Sequence, residues 1–145
     1  MGYIRLSLVS RWQYFRRAKP RIDPTIDDWY ADEYDRILAP RLGHYFRLLY
    51  RIFKIIDETT FSDDPAKNEK VRQHFAKIVR ATLSDDELWL LFYNCASRKG
   101  NQKFMPLANK YNLFDNLRVS SLLDPKHRTL TKSTMADDQD QPTSE

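Results

Sequence analysis

The chain reads as all-α: a compact single-domain bundle of about five to six helices that ends in an acidic tail. Three observations point there. Only three glycines accompany an aromatic content of 13%, which disfavours a turn-rich β architecture and favours helices packed through large side chains. Apolar residues recur three and four apart in one segment after another, with no alternating pattern to compete. The stretch from Arg80 to Gly100 also writes a complete helix, with start, apolar body and stop. At 145 residues the chain is long enough for one core that buries roughly two-thirds of the unfolded surface.

The elements follow in order. Residues 1–25 form a basic aromatic extension or short helix, in which Ile4, Leu6, Leu8, Val9, Trp12, Tyr14 and Phe15 stand among arginines before Lys19-Pro20. The helical domain spans 26–123. Its first pattern, Ile26 to Leu38, places Trp29, Tyr30, Tyr34, Ile37 and Leu38 at helical spacings with acids on the other face. Pro40 then suits the first turn of a helix over Arg41 to Glu58. In it Leu42, Tyr45, Phe46, Leu49, Ile52, Phe53 and Ile56 fill one stripe, while His44, Arg47, Arg51 and Lys54 follow 3-4-3 spacing and form a basic ridge.

After a polar connection, Ala66 to Leu83 groups Val71, Phe75, Ile78, Val79 and Leu83 on one face. The next helix opens on a capping box, Ser84 with Glu87, flanked by Leu83 and Leu88 where a hydrophobic staple needs them. Asp85 and Asp86 complement the positive end of its dipole and Arg98 and Lys99 the negative end, and Gly100 is placed for a left-handed C-terminal cap. Its body, Leu88 to Ala96, is apolar except for Asn94, too apolar for a half-exposed helix and too short to span a membrane. Met105-Pro106 marks a further start, from which Leu107, Ala108, Tyr111, Leu113, Phe114 and Leu117 can close over the core. Residues 124–145 have the composition of a disordered acidic tail.

Charge and cysteine narrow the function. The formal net charge is +4, unevenly spread. Residues 1–21 hold six bases and no acid, 22–36 hold six acids against Arg36, and 37–132 hold seventeen bases against ten acids. Such a basic body can meet phosphates or an anionic membrane surface, or the basic and acidic segments satisfy one another within the fold. The lone Cys95 forbids an internal disulfide and fits a reducing compartment, as a structural thiol inside the apolar helix. A mean hydropathy of −0.68 and the lack of an 18-residue apolar run leave no membrane span, and the basic start lacks the apolar core of a secretion signal.

Catalytic motifs are scarce. His44, His74, His127 and Cys95 show no zinc-like spacing, so no metal is expected. Gly2, Gly43 and Gly100 build neither a P-loop nor a dinucleotide fingerprint, so no cofactor is expected. The best enzyme hypothesis is metal-independent RNA cleavage by an arginine and a histidine, with His44, Arg47 and Arg80 as weak catalytic candidates assembled across helices. The helical ribonuclease signature, Arg followed by His with four to six residues between them, is absent. Asn94, buried in an apolar helix, needs bonded neighbours, since an unpaired amide there costs about 1–3 kcal/mol. It and Tyr93 either cross-link two helices, with Arg80 capping a carbonyl, or form a recognition pocket.

The strings Arg80-Ala-Thr-Leu-Ser84, Glu87-Leu-Trp-Leu-Leu-Phe-Tyr-Asn94, His44-Tyr-Phe-Arg-Leu-Leu-Tyr50 and Lys103-Phe-Met-Pro-Leu107 together resemble a bacterial family of phage abortive infection proteins, over roughly Leu42 to Leu117. The resemblance implies a helical domain of a host defence protein whose activation stops phage propagation by harming or arresting the infected cell. It marks His44, Tyr45, Phe46, Arg47, Tyr50, Arg80, Ser84, Glu87, Tyr93 and Asn94 as motif residues, without assigning any a catalytic role. Relatives of this kind carry membrane-spanning segments ahead of the helical region. Here the expectation is a shortened, cytoplasmic member, or a peripheral membrane effector led by residues 1–19.

The resulting expectation is a non-enzymatic interaction or sensing module in the bacterial cytoplasm, with a phage or host protein as partner. A nucleic acid or an anionic membrane surface is the other partner class the basic ridge suits. The candidate binding residues are His44, Arg47, Tyr50, Arg51, Lys54, Arg80, Tyr93 and Asn94. Nothing in the sequence speaks to oligomeric state.

Overall fold

The computed structural model describes residues 39–132 together with Ile26, Tyr30, Arg36 and Met135. Among these the fold is all-α, as expected. Four α-helices are α1 (Ala39–Glu58), α2 (Pro65–Ala81), α3 (Asp85–Ala96) and α4 (Met105–Lys110), followed by 3-10 segments at Val119–Ser121 and Pro125–Leu130. The expectations for residues 1–25, and for Trp29, Tyr34, Ile37 and Leu38, fall outside the described residues. Ile26 and Tyr30 are helical, and Tyr30 is buried.

Helix α1 starts with Pro40 in its first turn, where a missing amide proton costs nothing. Its buried side carries Gly43, Phe46, Leu49, Phe53 and Ile56, spaced to fall on one stripe. His44, Arg47 and Arg51 lie exposed on the other side, and Lys54 is half-buried beside Glu58 at 3.6 Å. Helix α2 begins on Asp64, whose carboxylate accepts from the amides of Ala66 at 2.9 Å and Lys67 at 3.2 Å, ahead of Pro65 in the first turn.

The face of α2 differs from the expected one. Its only fully buried residue is Ala76, whereas Phe75 and Ile78 are 40% and 50% exposed. The inward line runs through Arg72, Ala76, Val79 and Arg80, because the flanking arginines have partners inside the fold. Arg72 Nε donates to the Thr59 carbonyl, and Arg80 Nη1 donates to the Asn112 carbonyl at 2.7 Å and to Asp115 Oδ2 at 3.0 Å. Phe75 instead lies against Phe61, ring centres 5.2 Å apart.

Helix α3 is the centre of the core, with seven of its residues buried from Leu88 to Cys95. The capping box forms as expected: Glu87 N donates to Ser84 Oγ at 3.3 Å, and Ser84 N returns to Glu87 Oε2 at 2.8 Å. The other Glu87 oxygen accepts from the Tyr45 hydroxyl at 2.9 Å, so the cap also ties α3 to α1. Partial burial pushes the Glu87 carboxyl up, but the bonds from Ser84 and Tyr45 outweigh it and hold it below the ordinary carboxylate range.

The end of α3 corrects another expectation. The helix stops at Ala96, Ser97 is extended, and no glycine among the described residues has a positive φ. Gly100 is required for closeness rather than for handedness. A Cβ there would sit 2.6 Å from the Asn94 carbonyl oxygen and 3.0 Å from Cys95 Cα, distances that only backbone movement could relieve. The left-handed position is filled by Asn112, φ 49°, a residue that tolerates it.

Tyr111, Leu113, Phe114 and Leu117 are buried in the core as expected, with Phe92 and Phe114 packed edge-to-face at 5.3 Å. Ordered structure runs beyond the expected tail boundary at 124. The Pro125–Leu130 segment is capped by Asp124, and Thr131 Oγ1 and Lys132 N both donate to Asn109 Oδ1, at 2.7 and 2.8 Å. The Asn109 acceptor holds this stretch, a partner that composition does not reveal.

Candidate anion-binding cleft

A cleft of about 330 Å³ opens between α1 and the turns that follow α3. From α1 come Gly43, Phe46, Arg47, Tyr50 and Arg51. These positions repeat at intervals of three and four, so the cleft follows the border between the apolar stripe and the basic ridge. The opposite wall is Lys99, Gly100, Lys103 and Phe104, and Asn94 in the last turn of α3 also lines the cleft.

The far wall is held by its backbone. Gly100 and Asn101 amides donate to the Ser97 carbonyl at 3.1 and 2.9 Å, and the amides of Lys103, Phe104 and Met105 converge on the Gly100 carbonyl at 3.3, 2.8 and 3.2 Å. The buried Ser97 hydroxyl donates to the Asn94 carbonyl at 2.9 Å and accepts from the Lys99 amide at 3.3 Å. These consecutive turns fix where Lys99 and Lys103 leave the main chain. Below them, Phe104 packs on Tyr50 and Phe53 with ring centres 5.9 Å away in both cases, which makes the floor aromatic.

Electrostatically the cleft is one-sided. Arg47, Arg51, Lys99 and Lys103 line it, and among the described residues no carboxylate, histidine or thiol does. Arg47, Arg51 and Lys103 form no ion pair among the described residues.

Of the residues singled out in the sequence, Arg47, Tyr50, Arg51 and Asn94 come together here. Asn94 Nδ2 donates to the Tyr30 hydroxyl at 3.0 Å, so this cleft-lining residue also cross-links α3 to Tyr30. His44 and Lys54 lie on the same helix outside the lining, and Arg80 is engaged by Asp115 and the Asn112 carbonyl. Tyr93 is buried; its hydroxyl accepts from the Leu123 amide at 2.8 Å and meets His127 Nδ1 at 3.0 Å. The resemblance marks Lys103 within a motif string, but its place beside Arg47 arises from tertiary packing, and sequence reading did not single out Lys99 or Lys103 as site residues.

Cys95 is fully enclosed, and burial pushes its thiol far above the usual range, the reverse of what a nucleophile needs. Among the described residues no helix is long and apolar enough to cross a membrane, and no three His, Cys, Asp or Glu side chains group as metal ligands.

No curated protein and no solved structure matches the chain. A family model described as "Putative phage abortive infection protein" matches residues 38–122. The matched span runs from α1 through the first 3-10 segment and takes in both walls of the cleft. It covers more than half of the 145 residues, and the chain belongs to that family of phage abortive infection proteins.

Proposed function

We propose that the chain is a helical sensing and interaction module of an antiphage response, and that the basic cleft beside α1 is its working surface. The observation that carries this reading is the convergence of Arg47, Arg51 and Lys103 on one cleft, with no acid among the described residues of its lining. Arginines one helical turn apart suit a phosphate or carboxylate, because each guanidinium presents a planar fork of donors. The described lining holds cations, an amide and aromatic rings, groups suited to binding an anionic ligand. His44, which a ribonuclease centre would need, does not line the cleft.

The test is a phage challenge of cells expressing the full chain or its Arg47→Ala/Arg51→Ala variant. Both side chains are exposed, so the melting temperature should stay within about 2 °C of the parent, as for surface changes of a few tenths of a kcal/mol. Protection should be lost. Full protection by the variant would rule out this cleft as the working surface.

A further inference from the structure

The cleft holds a second clue besides its charge. Asn94 is only 6% exposed, and its Nδ2 is taken by Tyr30. Its Oδ1 has no hydrogen-bond partner among the described residues and lies 3.0 Å from where a Cβ on Gly100 would be. A buried amide oxygen left without a donor is costly, and this one belongs to a residue lining the cleft. An incoming N–H group would satisfy it.

The three features need three different parts of one ligand. Arg47, Arg51 and Lys103 call for a compact anion of high charge, for which phosphate matches the guanidinium fork. Tyr50, whose ring meets Phe104 at 66° with centres 5.9 Å apart, brings to the cleft an aromatic side chain of the kind on which planar rings stack. Asn94 Oδ1 calls for a hydrogen-bond donor on that ring. The volume, about 330 Å³, lies at the small end of the roughly 300–1,000 Å³ span of small-molecule sites, which suits one nucleotide better than a polymer.

We propose that this cleft binds a mononucleotide whose base carries an exocyclic amine, with its phosphates among Arg47, Arg51 and Lys103, its base on Tyr50 and its amine donated to Asn94 Oδ1. The inference rests on the cleft being the working surface and names what that surface takes. The amine sets the specificity. Adenine presents N–H donors to the Asn94 oxygen, whereas hypoxanthine presents a carbonyl oxygen at the same position and would repel it.

The test is calorimetric titration of the full chain with ADP, AMP, IMP and inorganic phosphate at fixed ionic strength. ADP should bind most tightly. AMP should exceed IMP by about tenfold or more, the usual value of one buried hydrogen bond to an unpaired group, and phosphate alone should bind far more weakly. Arg47→Ala/Arg51→Ala should weaken ADP by about tenfold or more, and Tyr50→Leu should weaken AMP while leaving phosphate unchanged. Lys103→Ala provides an independent arm, since its exposed side chain is not part of the core.

Equal binding of AMP and IMP, or ADP binding that ignores these variants, would overturn the proposal. So would tight binding of a single-stranded oligonucleotide with none of ADP, which would make the cleft a backbone track. If ADP fails to bind while the arginine variant still abolishes protection, the nucleotide is wrong and the working surface stands. If ADP binds the parent chain as expected while the arginine variant still protects, the nucleotide site stands and the working surface lies elsewhere.

Discussion

Gly100 does more at the scale of one residue than its place after a helix suggests. Its missing side chain lets the chain press against the Asn94 carbonyl oxygen, 2.6 Å from a hypothetical Cβ, while its own carbonyl collects three amides. Gly100→Ala should destabilise by about 1–3 kcal/mol through forced backbone movement, read as a lower denaturation midpoint with unchanged slope. Glycine at this point was legible as a helix-ending signal, but its reason was not, because the approach it permits involves the tertiary path of the following turns. The same holds for Asn94. Its need for a partner follows from the apolar run around it, whereas its partner, Tyr30, is 64 residues away.

Among the elements, α1 and α3 were readable because their signals are local. Pro40, the 3-4 stripe and the Ser84–Glu87 box each act within a turn or two of chain. Helix α2 was readable as a helix but not in its rotation. Apolarity alone points to Phe75 and Ile78, whereas the arginine bonds to Thr59, Asn112 and Asp115 turn Ala76 inward. Ile78→Gln should therefore move the melting temperature by less than about 3 °C. Ala76→Leu should cost about 1–3 kcal/mol by overpacking. The opposite ranking in thermal melts would restore the apolar face. The cleft was half legible for a related reason: periodicity reveals the Arg47 and Arg51 side, and only packing supplies Lys99 and Lys103.

At the scale of the whole molecule, two carboxylates among the described residues fasten α1 to later elements. Glu87 joins it through Tyr45, and Asp57 binds both Lys110 and the Tyr111 hydroxyl, the latter at 2.7 Å. Partial burial pushes the Asp57 carboxyl up, but the bonds from Lys110 and Tyr111 prevail and depress it, as at Glu87. A carboxyl depressed in the folded state binds its proton more readily once unfolded. Its stabilisation is therefore present above the ordinary values of 3.8 for Asp57 and 4.5 for Glu87 and is lost as pH falls through the folded ones. Melting temperature should thus fall below about pH 4.5, and the decline should be shallower in Glu87→Gln; equal slopes for the two proteins would exclude Glu87 as a source. The polar bonds of α3 also impose an order in time. During synthesis Asn94 finds Tyr30 already made, but the indole of Trp89 must wait for the Ser121 carbonyl, 2.9 Å away in the finished fold, and the Tyr93 hydroxyl for Leu123 and His127. The central helix can complete these bonds only after the segment through His127 has left the ribosome, which makes the docking of residues 121–127 a late step of folding.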